Sequence, residues 1–293
     1  MKSVNKRTRK INSINKATNT KKASNGCRII KYKNVNHFSE MPDKFETYQM
    51  AKSESEIRQN MLLTSTNPDD WELAEKLENC TKKEPCESGA CPKCLRKFRR
   101  WWYYETDKIC DKYKKAYALT IVLYDELLEN NQLNKYEPGT LKKRLRKQLV
   151  RSGFTKPVLG ALDMDFDTEL ECWMPHFHLL VLSSEREIKT LRKRFYRPTE
   201  PIKGHSAMVL RPTHHSLIKD RDKQLTYLFK SYWVKKEIYM DETGKRRTRA
   251  FRLDKHELQT SLRYMDRVGI KGRLFLYKLR IRKGYLQITV DEQ

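Results

Sequence analysis

The stretch Met174-Pro175-His176-Phe177-His178-Leu179-Leu180-Val181 constrains the fold more than any other segment of the chain. A His-x-His pair running into a β-prone aliphatic tract reads as a buried strand. Successive strand side chains alternate between faces, so His176 and His178 share one face and Phe177 takes the other. Two neutral imidazoles on one rigid element can hold a single divalent ion. The alternative for such a pair is two hydrogen-bonded core histidines.

The segment before it, Leu159-Gly160-Ala161-Leu162-Asp163-Met164-Asp165-Phe166-Asp167, has the same period. Three aspartates occupy its odd positions and Leu162, Met164 and Phe166 its even ones. If residues 168–173 form the connection, a hairpin centred near 170–171 sets Asp163 opposite His178 and Asp165 opposite His176. A carboxylate beside two imidazoles makes a mixed nitrogen and oxygen shell suited to Mg²⁺ or Mn²⁺. The competing interpretation is a solvated polar strand face.

The 293 residues suffice for one substantial core with a small appended module. A net charge of +25 predicts attraction to a polyanion, and nucleic acid is the favoured partner. No run of 18 apolar residues exists, which argues against a spanning helix. The N-terminus shows no apolar core of a secretory signal. Seven cysteines, four of them between positions 80 and 94, point to thiolates and a metal in a reducing, cytoplasmic compartment rather than to disulfides.

Residues 1–39 carry eleven Lys or Arg and no acid, and read as a disordered basic arm. Residues 40–112 hold the cysteine-rich module, with a helix expected over Pro68–Leu77 from the Asn67-Pro68-Asp69-Asp70 cap signal. The globular part spans 113–293. Strands are expected at Ala116–Leu123, Val158–Phe166, Pro175–Leu182 and Ala207–Leu210. Helices are expected at Leu141–Val150, ended by Gly153, and at Asp222–Lys236. Leu274–Ile281 and Leu286–Val290 would close the domain as a hairpin. This mixed order predicts an α+β domain with a central antiparallel sheet flanked by helices.

Within the expected helix, Leu225, Leu228, Phe229, Tyr232 and Trp233 form one apolar stripe, which assigns Tyr232 to the core. Tyr227 and Lys230 fall beside the stripe, roughly 60° apart, where both can act on one object. A phenol is a weak nucleophile at its ordinary pKa, so a neighbouring cation and a metal polarising the target would both help.

Leu119-Thr120-Ile121-Val122, then Pro175-His176-Phe177-His178, then Tyr227-x-x-Lys230, in that order, resemble the HUH endonuclease superfamily. The likeness covers roughly 115–236 and is nearest to the rolling-circle replication initiators (Rep proteins) of plasmids and phages. The resemblance implies a ferredoxin- or RRM-like palm, with His176 and His178 as metal ligands. Tyr227 would be the nucleophile that forms a 5′-phosphotyrosine on nicked DNA, and Lys230 would position the strand. Asp163 matches the place of the acidic third ligand, where plasmid initiators often carry Glu, and Asp165 competes for it. Relatives with paired catalytic tyrosines four residues apart are not matched, since Tyr227 and Tyr232 are five apart. Relaxases carry their tyrosine ahead of the histidines; here it follows. Single-tyrosine transposases share the present order and remain an alternative, as does a zinc-stabilised DNA-binding regulator without catalysis. No Gly-x4-Gly-Lys-Ser/Thr loop is present, so a separate helicase and polymerase are implied.

Cys80, Cys86, Cys91 and Cys94 supply four thiolates for a structural zinc, with Cys110 as a substitute for Cys80. Upstream Cys-x-x-Cys segments leading into Arg-rich helices also occur in some plasmid initiators. The stretch Arg96–Tyr104 follows, and Arg96, Arg99, Arg100 and Trp101 are DNA-contact candidates, together with Thr120. For Phe98, Trp101 and Trp102 the alternative is the buried side of an amphipathic helix.

Overall fold

The computed structural model describes residues 41–42, 45–195 and 212–289. The basic arm and the expected strand at Ala207–Leu210 lie outside the described residues. Three helices lead the chain: α1 (Tyr48–Leu63), α2 (Pro68–Glu78) and α3 (Pro92–Cys110). The Asn67 side chain accepts from the Asp69 amide and Pro68 sits in the first turn, so α2 starts where the cap signal predicts.

The sheet is built from β1 (Tyr117–Val122), β2 (Leu128–Glu129), β3 (Val158–Asp167), β4 (Cys172–Val181), β5 (Thr213–Leu217), β6 (Val234–Met240), β7 (Arg246–Arg252) and β8 (Leu274–Tyr277). Its order is β5-β1-β4-β3-β6-β7, with β2 added to β4 and β8 added to β3. All pairings are antiparallel except β3–β6, so the sheet is mixed, which corrects the purely antiparallel expectation. Helices α4 (Pro138–Arg151), α5 (Glu185–Phe195), α6 (Arg221–Tyr227) and α7 (Lys255–Arg273) flank it, and β9 (Leu279–Arg282) pairs with β10 (Tyr285–Ile288) as a separate hairpin. The architecture is α+β. The expected closing hairpin is divided: β8 joins the main sheet and β9–β10 stands apart.

Two cores follow from strand alternation. On one face Leu119, Ile121, Phe177 and Leu179 pack with α4, α5 and α7 and with the leading helices through Leu62, Leu73 and Leu77. On the other, Leu159, Ala161, Leu180 and Leu182 pack with α3, α6 and the turn after α6 through Phe98, Trp101, Trp102, Leu225 and Phe229. Trp101 is therefore core, its indole donating to the Gly284 carbonyl at 2.8 Å, and is not a surface contact for a ligand. No helix among the described residues is long and apolar enough to cross a membrane.

The helix expected over Asp222–Lys236 is shorter than its apolar stripe. It ends at Tyr227, and Val234–Met240 is a strand. Leu225, Leu228, Phe229 and Trp233 are buried as the stripe predicts, whereas Tyr232 is 56% exposed rather than core.

Candidate metal centre with an adjacent tyrosine and lysine

Strands β3 and β4 pair Asp163 with His176, Ala161 with His178 and Asp165 with Met174. This register lies two residues from the one expected. The reason is Asp167, whose carboxylate accepts from the amides of Glu169 and Leu170 at 3.0 Å each and so closes the turn in four residues, 168–171, instead of six. A shift of two preserves the facing of every side chain, so both aspartates and both histidines still share a face.

The imidazole Nε2 atoms of His176 and His178 lie 3.1 Å apart. The Met174 carbonyl accepts from His176 Nδ1 at 3.0 Å, which leaves a lone pair on His176 Nε2. The Thr120 hydroxyl lies 3.2 Å from His178 Nδ1, so this residue, expected at the DNA surface, orients a histidine instead. Burial pushes both histidines below their ordinary pKa, His178 the further, and the Lys230 ammonium adds to the effect. The shift favours the neutral form that metal ligation requires.

Asp163 is fully buried. Its Oδ1 is paired with Arg273 and accepts from the Trp233 indole at 3.4 Å, while its Oδ2 accepts no hydrogen bond. That unpartnered oxygen lies 4.0 Å from His178 Nε2, and ligand atoms of Asp163, His176 and His178 all fall within 4.8 Å of one another. An orphaned carboxylate oxygen beside two nitrogen lone pairs is a donor set that fits a cation. Asp165 lies on the same side, its Oδ2 3.7 Å from His176 Nε2, but ion pairs surround it. Lys236 pairs with it directly, and Lys230 lies 3.9 Å away. Burial works against its charge, but His176, Lys230 and Lys236 outweigh that and hold its carboxyl below the usual range.

Tyr227 stands at the open side. Its ring is edge-on to His178 with centroids 4.8 Å apart, and it is 50% exposed. The Lys230 ammonium lies 4.7 Å from the tyrosine ring centre. Burial disfavours that ammonium, but Asp165 and Asp163 outweigh the penalty and raise its pKa, so Lys230 stays charged. The two residues meet across the turn that follows α6, not as neighbours on one helix.

Three arginines from elsewhere in the chain hold this turn. Arg99 of α3 donates to the Thr226 carbonyl at 3.0 Å, Arg273 to the Lys230 carbonyl at 2.9 Å and Arg58 to the Ser231 carbonyl at 3.0 Å. They satisfy carbonyls that a continued helix would have bonded. Arg99 and Arg96 also bind Glu46, through its side chain and its backbone oxygen respectively, and Arg100 is half-buried on the same helix. The positive charge of α3 therefore serves the interior at Arg96 and Arg99. Sequence reasoning missed Arg58, Arg273, Trp233 and Lys236, whose partners lie far away along the chain.

The second cluster gathers Cys80, Cys86, Cys91 and Cys94. Sγ atoms of Cys80 and Cys94 are 3.5 Å apart, those of Cys80 and Cys91 3.6 Å, and those of Cys86 and Cys94 3.8 Å. A hydrogen bond from the Cys91 thiol pulls the Cys80 pKa down to about 6, and Cys91 and Cys94 together lower Cys86. The same exchange raises Cys91 and Cys94. Such thiols share protons that a cation can replace. Cys110, at the far end of α3, takes no part; burial raises its pKa to about 11. No protein-family model, curated protein or solved structure matches the chain.

Proposed function

We propose that the protein is a metal-dependent DNA nickase and strand-transferase of the HUH type, acting in rolling-circle replication initiation. On this reading β1, β4 and β3 form the palm. The single observation that carries it is the meeting of Tyr227, Lys230 and the Asp163, His176 and His178 ligand group on one sheet face.

His176, His178 and Asp163 would hold the ion, and a mixed nitrogen and oxygen donor set suits Mg²⁺ or Mn²⁺. When bound, the ion would supply Lewis-acid polarisation of a scissile phosphate. The protein groups do the rest. Tyr227 Oη attacks phosphorus, a new Oη–P bond forms and the P–O3′ bond breaks. The phenolic proton ends on the departing 3′ oxygen. Lys230 carries positive charge beside both the phenol and the developing phosphorane. The product is a 5′-phosphotyrosine with a free 3′-hydroxyl, and the retained phosphoester allows resealing. A separate helicase and polymerase would extend that end.

For the cysteine cluster we infer zinc. Tetrahedral Zn–S bonds of ~2.3 Å place sulfurs about 3.8 Å apart, near the 3.5–3.8 Å separations found here. Reduced thiols of this kind fit a cytoplasmic setting.

The test is incubation of wild type and Tyr227→Phe with a labelled single-stranded oligonucleotide pool and Mn²⁺, read on a denaturing gel. A covalent shifted band from wild type alone, mapped to the Tyr227 peptide, supports the assignment. An undiminished band from the variant, or none from wild type, refutes it.

A further inference from the structure

The β6–β7 ribbon leaves the sheet. It pairs with β3 only at Phe166↔Lys235 and Asp167↔Lys236, whereas its own strands pair from Val234↔Arg252 to Met240↔Arg246. A two-stranded ribbon is marginal by itself, and β7 is an edge strand among the described residues. Strand pairing places Lys235 opposite Phe251, Glu237 opposite Arg249 and Tyr239 opposite Arg247, so these six residues share one face.

That face interleaves cations with uncovered rings. Tyr239 is 41% and Phe251 38% exposed. The Arg249 guanidinium lies 4.9 Å from the Tyr239 ring centre and the Lys235 ammonium 6.0 Å from that of Phe251. Glu237 is the one carboxylate among the six; Lys235 bridges it at 3.1 Å and Asp254 at 3.0 Å, and Arg247 pairs with Asp241 at 2.7 Å. Charges alone would protect an edge strand from unwanted pairing. Exposed rings between guanidinium groups instead suit unpaired bases, which stack on aromatic faces while cations meet their phosphates. Ser231, next in the chain to Lys230, lines a cavity of about 500 Å³ together with Tyr232 and Phe251. The cavity thus joins the residue after Lys230 to the ribbon at Phe251.

We propose that this ribbon face, with the adjoining Tyr232–Phe251 cavity, is the platform for the single-stranded DNA flanking the cut. The proposal rests on the nickase reading for the identity of the strand, but its test is separate. The full chain is titrated against a fluorescein-labelled oligothymidylate and against a labelled duplex of equal length. Raised salt suppresses the contribution of the basic arm. The double variant Tyr239→Ala/Phe251→Ala should bind the single strand about tenfold or more weaker, with the duplex little affected. Tyr239→Phe/Phe251→Tyr, which keeps both rings, should bind as wild type. Unchanged single-strand affinity in the alanine variant overturns the proposal, as does an equal fall for duplex. A wild type that binds through the ribbon but forms no adduct would sink the nickase reading alone; a wild type that nicks, with ribbon variants binding normally, would sink only the platform.

Discussion

Asp163 and Arg273 form an ion pair in which both side chains are wholly shielded from solvent. The same guanidinium donates to the Lys230 carbonyl at 2.9 Å and reaches the Leu162 carbonyl at 3.4 Å. One residue at the end of α7 therefore fixes a metal-ligand candidate, the β3 backbone between β8 and β6, and the turn that carries Lys230. Replacing it leaves a buried carboxylate without its partner. Arg273→Met should lower stability by about 3–5 kcal/mol, measured by urea unfolding. Arg273→Lys should recover little of this, because one ammonium on a flexible stem cannot reproduce the planar fork.

The Thr120 hydroxyl reaches the centre at His178 Nδ1, so its effect should be on ligand orientation. Thr120→Val should weaken Mn²⁺ binding about tenfold by calorimetry, with the melting temperature nearly kept. His178→Ala should abolish that binding event. An unchanged Mn²⁺ isotherm for His178→Ala would remove the metal site.

The cysteine cluster ties the end of α2 to the start of α3, and α3 delivers Arg99 to the Thr226 carbonyl. Cys91→Ser should reduce bound zinc from about one per chain to near zero by elemental analysis. The melting temperature should fall by about 10 °C. Adduct formation at Tyr227 should also weaken, by way of α3 and Arg99.

Gly160 is needed because β3 and β4 approach closely there: a Cβ would come within 1.9 Å of the His178 carbonyl oxygen. Gly160→Ala must push apart the strands that carry the aspartates and histidines. Loss of Mn²⁺ binding and a stability drop of about 2 kcal/mol or more are expected, read by the same titration and melt.

Lys142 donates to the Gly272 carbonyl, and burial lowers its pKa from 10.5 to about 8. A lysine with a depressed folded pKa destabilises the fold while it is charged there. That penalty is fully present below about 8 and is relieved as pH rises to 10.5, because the unfolded chain holds the extra proton. Relative to Lys142→Met, wild type should gain on the order of 2 kcal/mol across this window, measured by urea unfolding at each pH. A flat difference would show that the ammonium is not desolvated.

Local patterns were sufficient wherever one strand or one cap carried the information. The alternation at Leu159–Asp167 and at His176–Val181 matches β3 and β4, and Asn67-Pro68 matches the start of α2. The register differed because a side chain, Asp167, determined the turn. The stripe from Leu225 to Trp233 misled over helix length because its inward residues are buried in either conformation. What stops the helix at Tyr227 is the supply of donors from Arg99, Arg273 and Arg58 to carbonyls 226, 230 and 231. Those partners lie 127, 43 and 173 residues away in the chain, beyond any local periodicity.

The sequence by itself determined that the aspartates and histidines share a sheet face and that four thiols cluster before a basic helix, since both depend on spacing along the backbone. Only the tertiary structure decided which aspartate groups with the two histidines, that Trp101 is interior, and that Tyr227 and Lys230 meet at the histidines. Burial and long-range pairing set those outcomes, and the energy of an ion pair or a capped carbonyl depends on distance in space rather than along the chain.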